Sequence, residues 1–166
     1  GRLVPQKNHA LAVEAAKVLR DCGVDFCWFF IGEGSERDNI VELIKKYRLE
    51  HDVVLLGLRT NPYAYMKRCD VYVQSSAFEG FGLTIAEAKI LGKPVVSTNF
   101  DVVHDQLTHL RNGWISEMNP EALANGIIHM LNDHSLRKAI VSEVEKEENK
   151  THITEVGKIE QLLDED

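Results

Sequence analysis

Several things are missing from this chain, and each absence removes a class of function. No apolar run approaches the ~18 residues of a membrane-spanning helix, and no stretch reads as a secretory signal. Cysteine is scarce. Cys22, Cys27 and Cys69 are odd in number and form no Cys-x-x-Cys, which leaves neither a disulfide framework nor a zinc ribbon and suits reduced thiols in a cytoplasmic protein. Gly-x-Ser-x-Gly and P-loop sequences do not occur. Within the body of the chain there is no Asp-x-Asp, the only such triplet being the terminal Asp164-Glu165-Asp166. The seven histidines are scattered. His104 and His109 are five apart, as are His129 and His134, which is not a helical ligand spacing and points to surface histidines rather than a metal centre. No internal repeat, low-complexity segment or linker divides the 166 residues, so a single domain with its own core is expected.

Charge is unevenly placed. Residues 1–116 hold 14 basic and 14 acidic side chains, whereas 117–166 hold 5 and 12, which accounts for the net charge of -7. An acidic tail poor in aromatic residues argues against nucleic acid and reads as a solvated helical face.

What the chain does contain is centred on residues 70–98. Val71 to Val73 suits a buried strand, and Phe78-Glu79-Gly80-Phe81-Gly82 a loop whose glycines permit unusual backbone angles. From Leu83 the spacing becomes helical, with Leu83, Ala86, Ile90 and Leu91 as an expected apolar stripe. Gly92 and Pro94 stop the helix, and Val95 opens the next strand. The start of such a helix offers unpaired N–H groups and a positive dipole end, which favour a phosphate. Gly80 and Gly82 put no side chain in the way, while Glu79 and Glu87 supply carboxylates suited to the hydroxyls of a sugar or ribose.

Glu79 and Glu87, with seven residues between them including Gly-Phe-Gly-Leu, resemble the Glu-x7-Glu signature of the retaining glycosyltransferases of the GT-B fold, the glycosyltransferase family 4-like or "glycosyl transferases group 1" enzymes. Gly1-Arg2-Leu3 with Gln6-Lys7-Asn8 is similar to the family's opening motif. Ile31-Gly32-Glu33-Gly34, Val54-Leu55-Leu56-Gly57 and Lys93-Pro94-Val95-Val96 follow in the family's order. The resemblance implies that Arg2 and Lys7 hold a diphosphate, offsetting the charge that grows on the leaving group by a guanidinium fork and an ammonium point charge. It implies that Glu87 takes the ribose hydroxyls. Glu79, with Gly80, Phe81, Gly82, Leu83 and Thr84, would hold the donor sugar and diphosphate, and Leu58 and Arg59 would line the nucleobase pocket. The substrate would be a UDP-, GDP- or ADP-sugar, with no cofactor and no metal. The resemblance further implies that an N-terminal domain and the first strand of this one are missing. That absent domain would supply the saccharide or lipid-linked acceptor contacts and any membrane contact, at the inner face of the membrane in a full-length cytoplasmic protein.

The rest of the chain reads as alternating strands and helices. Helices are expected over 9–22 (capped by Asn8, burying Leu11, Ala15, Val18, Leu19 and Cys22), 36–48 (capped by Ser35), from Asn61-Pro62 to Arg68, 102–107, 120–131, 134–148 and 152–163. Strands are expected at 26–31, 53–56, 71–73, 95–98 and 113–116. This is the pattern of an α/β, doubly wound parallel sheet, Rossmann-like, with its ligand at the C-terminal ends of the strands. A dinucleotide fingerprint would want glycine where Arg37 stands. Relatives often carry a glycine pair and Pro-Glu after the 95–98 strand, whereas here the loop is Asn99-Phe100-Asp101-Val102-Val103-His104-Asp105, with Asp105 in the glutamate's place. Ser75-Ser76 reads as plain loop. Two rival readings are a GT-B nucleotide-sugar epimerase-like protein, disfavoured by the Arg2, Lys7, Glu79, Glu87 set, and a flavodoxin-like binding module, which would want aspartates at strand ends.

Overall fold

The computed structural model describes residues 1–147. The helix expected over 152–163 lies outside them, as does the last residue of the one over 134–148. Five parallel strands alternate with helices: α1 (His9–Asp21), β1 (Trp28–Ile31), α2 (Arg37–Tyr47), β2 (Val53–Gly57), α3 (Tyr63–Met66), β3 (Tyr72–Gln74), α4 (Leu83–Ile90), β4 (Val95–Thr98), β5 (Trp114–Ser116), α5 (Pro120–Asn132). A further helix runs over 134–147. Short 3-10 turns occupy Pro5–Lys7 and Asp101–Asp105, the second standing where a helix over 102–107 is expected.

Among the described residues the strands form two parallel sheets, β1-β2 and β3-β4-β5. Residues 1–7 run between them. The Leu3 N–H donates to the Glu33 carbonyl beyond β1, and the Ala77 N–H donates to the Gln6 carbonyl beyond β3. Adjacent residues on the second sheet serve opposite faces, as strand geometry requires. Val73, Val96 and Trp114 meet α1, α5 and Ile140, whereas Tyr72, Val95 and Ile115 meet α4 and the Asp101–Asp105 turn. Helices thus cover both faces of this sheet. The C-terminal strand ends are left to the loops after β1, β2, β3 and β4.

The α1 helix joins the cores. Ala12, Val13 and Ala16 pack with Phe30, Ile40 and Ile44, while Leu11, Ala15 and Leu19 pack with Leu123, Ile127 and Met130. Its alanines let α2 and α5 approach on two sides. Cys22, expected on the buried face, is exposed because the helix ends at Asp21 and the chain turns away at Gly23.

Two capping expectations fail. Ser35 does not cap α2, and Asn8, although it precedes α1, makes no side-chain cap bond and takes a left-handed φ of 47°. Ahead of α2 the Leu3 carbonyl accepts the Glu36 N–H. Asn119 and Asp133 do cap their helices, accepting from the Ala122 and Leu136 N–H groups. The stripe assigned to α4 is corrected as well. Leu83 and Ile90 are exposed, and the buried side chains are Ile85 and Ala88. The helix is too short to bury more than one narrow edge, and its first residue faces the open loop end.

Gly32-Glu33-Gly34 has a packing role. A Cβ on Gly34 would stand 2.2 Å from the Leu3 carbonyl oxygen, and one on Gly32 would stand 1.9 Å from that of Gly1. Backbone cannot yield cheaply there, so Gly34→Ala should cost about 2–3 kcal/mol of stability in denaturant titration. Gly80→Ala, where a Cβ meets nothing within 4 Å, should stay within about 0.5 kcal/mol of wild type.

His9, first residue of α1, packs edge-on against Phe30 at 5.1 Å between ring centroids, with Nδ1 buried and unpartnered. Burial above all, with the positive charge of Lys7 nearby, lowers its pKa from 6.5 to about 4. The folded state therefore stays neutral while the unfolded chain protonates, so stability falls as pH drops from 6.5 towards 4. The loss is on the order of 3 kcal/mol at most. His9→Phe keeps the ring contact and should lose this part of the pH slope in thermal melts between pH 7 and 4.

Candidate functional site

The loop between β3 and α4 is built on polar side chains pointing up from the strand ends. Gln74, the last residue of β3, is buried. Its amide nitrogen donates to Ser76 Oγ (2.8 Å) and Glu79 Oε1 (2.6 Å), and its oxygen accepts from Tyr72 Oη (2.7 Å) and Thr84 Oγ1 (3.1 Å). Both ends of the carboxamide are used, so its orientation is set by its partners. Burial pushes the Tyr72 phenol pKa well upward, keeping the hydroxyl a donor to Gln74. From β4, Thr98 Oγ1 donates to the Ser76 carbonyl at 2.7 Å and fixes the loop from below.

Glu79 sits at the centre. Its Oε1 accepts from Lys7 Nζ (2.5 Å), Ser76 Oγ (2.6 Å) and Gln74 Nε2 (2.6 Å), and its side chain is only 7% exposed. Oε2 has no bond to any described residue, yet it is not among the sealed, unpartnered atoms, so it reaches solvent. Lys7 is brought here because the 3-10 turn Pro5–Lys7 crosses to β3, where the Ser75 hydroxyl donates to the Lys7 carbonyl and the Gln6 amide to the Phe78 carbonyl. Ser75 and Ser76, read as plain loop, are therefore buried positioning groups.

Past Glu79 the chain reaches the start of α4. Gly82 takes the left-handed conformation (φ 77°) as N-cap. The N–H groups of Gly82, Leu83 and Thr84 have no backbone partner among the described residues. They form the positive end of the helix and would suit an anion. Gln106 donates its amide to the Phe81 and Gly82 carbonyls, so the loop after β4 holds this turn. Phe81 and Leu83 are exposed beside it.

Glu87 lies one helical turn further along α4. Its Oε1 accepts from the Tyr63 hydroxyl at 3.0 Å.

Lys7 meets Glu79, and Gly80, Phe81, Gly82, Leu83 and Thr84 follow Glu79 into the start of α4, on which Glu87 also lies. Arg2 is exposed at the same end, and its guanidinium forms no hydrogen bond or ion pair with a described residue. Leu58 and Arg59 stand exposed after β2, Arg59 Nη1 donating to the Leu58 carbonyl, and among the described residues neither bonds to either glutamate. Sequence reasoning missed Gln74, Ser76, Tyr63 and Gln106. A polar residue ending a strand was the available signal for Gln74; nothing local marked Tyr63 or Gln106. Among the described residues no group of three His, Cys, Asp or Glu side chains could hold a metal, and no helix is long and apolar enough to cross a membrane.

Known proteins resemble this chain in sequence and in fold. The chain is 36% identical over 141 residues to the Campylobacter jejuni N-acetylgalactosamine-N,N'-diacetylbacillosaminyl-diphospho-undecaprenol 4-alpha-N-acetylgalactosaminyltransferase, covering 84% of this chain and 38% of that protein. It spans well under half the length of the first curated relatives that match it. The fold superposes on Anabaena HepE in complex with UDP at a TM-score of 0.84 and 26% identity, over all of this chain and 47% of that one. It also matches the C-terminal domain of a glycosyl transferase group 1 family protein from Francisella tularensis (TM-score 0.76, 25% identity), covering 87% of this chain and 78% of that domain. The architecture is the Rossmann-like half of a GT-B fold. The family model described as "Glycosyl transferases group 1" matches residues 1–147, and the chain belongs to that family.

Proposed function

We propose that this chain is the donor-binding, C-terminal half of a retaining hexosyltransferase. The full-length protein would move a hexose from a nucleoside diphosphate to a hydroxyl of a growing glycan or lipid-linked saccharide. One observation carries the reading. The Lys7–Glu79 pair, with one carboxylate oxygen left to solvent, lies beside the unpaired N–H groups that open α4. Such a site offers positive charge to a diphosphate and an acceptor to sugar hydroxyls within one loop. HepE, a structural neighbour, has been crystallised with UDP, and the Campylobacter relative is named for transfer onto a diphospho-undecaprenol acceptor.

In this reading the diphosphate lies between Lys7, the exposed Arg2 and the α4 N-terminus, which together oppose the charge released as the glycosidic bond breaks. Glu87 takes the ribose, and Glu79 Oε2 faces the transferred sugar. Leu58 and Arg59 border the base. Cationic side chains and a helix dipole replace a divalent metal. The unpaired edges of β1 and β3 would be joined by a strand ahead of Gly1, and the acceptor by a further domain beyond it.

Calorimetric titration of UDP, GDP and ADP in the presence of chelator tests the reading. At least one should bind, with a Kd on the order of 0.1–1 mM; binding only with magnesium or manganese, or none at all, would overturn it. Glu79→Gln can keep its oxygen towards Lys7, Ser76 and Gln74 while presenting an amide donor where Oε2 stood. In the full-length enzyme kcat should fall about tenfold or more, with affinity for free nucleotide within about twofold of wild type.

A further inference from the structure

Tyr63 opens a single helical turn placed by Asn61-Pro62: Pro62 is its N-cap, and Asn61 Oδ1 accepts the Ala64 N–H at 3.3 Å. The phenol ring is 48% exposed. An aromatic side chain so exposed gains little from burial, and its hydroxyl reaches 24 residues along the chain to one target, Glu87 Oε1 at 3.0 Å. Glu87 itself lies on a helix clamped by its neighbours, since Ile85 and Ala88 are fully buried. Its backbone is therefore fixed, and only its side-chain torsions remain to be chosen. On a solvent-facing helix edge a glutamate samples several rotamers. A donor on one oxygen selects the rotamer and fixes the plane of the carboxylate. The other oxygen, Oε2, has no partner among the described residues.

Resting on the donor-binding reading, we propose that Tyr63 is the positioning residue of the nucleoside subsite. Its hydroxyl holds Glu87 Oε1 so that Oε2 is presented to the paired 2′- and 3′-hydroxyls of a ribose. An oxygen held in one place can accept from two adjacent hydroxyls, a geometry that a carboxylate turning freely meets only part of the time. The ligand class selected in this way is a ribonucleoside diphosphate with an intact cis-diol. The hydrogen bond to Glu87 raises the Tyr63 pKa above its ordinary value, so the hydroxyl stays a donor at neutral and mildly alkaline pH. Tyr63 touches no reacting atom, and its effect passes entirely through Glu87.

The test is calorimetric titration of the full-length protein and its Tyr63→Phe, Glu87→Ala and double variants with UDP and with 2′,3′-dideoxy-UDP, thermal melts confirming that each variant is folded. Tyr63→Phe should weaken UDP by about three- to tenfold, leave dideoxy-UDP within about twofold, and have no further effect once Glu87 is alanine. Equal loss of UDP and dideoxy-UDP would show that the ring serves the base or the fold, and overturns the proposal. So does an unchanged affinity in Tyr63→Phe when Glu87→Ala loses binding, or full additivity of the two changes. A wild-type protein that does not distinguish UDP from dideoxy-UDP would instead refute the assignment of ribose to Glu87.

Discussion

Three donors from three parts of the chain meet on a single oxygen, Glu79 Oε1: Lys7 from the opening segment, Gln74 from the end of β3, and Ser76 from the loop between. The rest of the site follows from this junction. The Lys17–Asp21 pair is exposed on both sides, 43% and 49%, and such a solvent-screened pair adds little to stability. Lys7 and Glu79 are 20% and 7% exposed. Removing one partner of so enclosed a pair leaves a charge without its counterpart, at a cost of about 3–5 kcal/mol for a buried pair. The same contact ties segment 1–7 to the β3 loop. That segment also supplies the Leu3 carbonyl ahead of α2 and the backbone against which Gly32 and Gly34 lie. Charge, loop shape and chain path are thus set together.

A common design runs through both glutamates. Each gives one oxygen to the protein, Glu79 to its three donors and Glu87 to Tyr63, and keeps the other unpartnered among the described residues. The layers beneath explain why both stand at one end of the sheet. Val95 and Val96 face opposite cores, so β4 is locked on both sides, and its terminal Thr98 holds the β3 loop from below. Across the loop Gln106 holds the carbonyls where α4 begins.

The sequence made the strands, the Glu79–Glu87 spacing and the glycine loop legible because those signals are local. Apolar runs, left-handed glycine and helical register each act within a few residues. Gln74 and Tyr63 were not legible, since their meaning depends on partners 5 and 24 residues away and a polar strand end or a lone tyrosine has many uses. Two caps were misassigned: α2 starts from Glu36 rather than Ser35, and Asn8 precedes α1 in a left-handed conformation with no side-chain cap bond. The α4 stripe failed differently. Eight residues with apolar side chains on every side carry little periodic information, and only packing decides that Ile85 and Ala88 go in while Leu83 and Ile90 stay out.

The most direct measurement is a titration of the isotope-labelled chain with UDP, followed residue by residue through backbone amide shifts. The largest changes should fall on Gly80, Gly82, Leu83 and Thr84, with smaller ones at Tyr63 and Glu87, while the amides of α5 and of residues 134–147 stay in place. Shifts centred instead on the far side of the fold, around His129 and His134, would contradict the placement of the nucleotide at the Lys7–Glu79 junction.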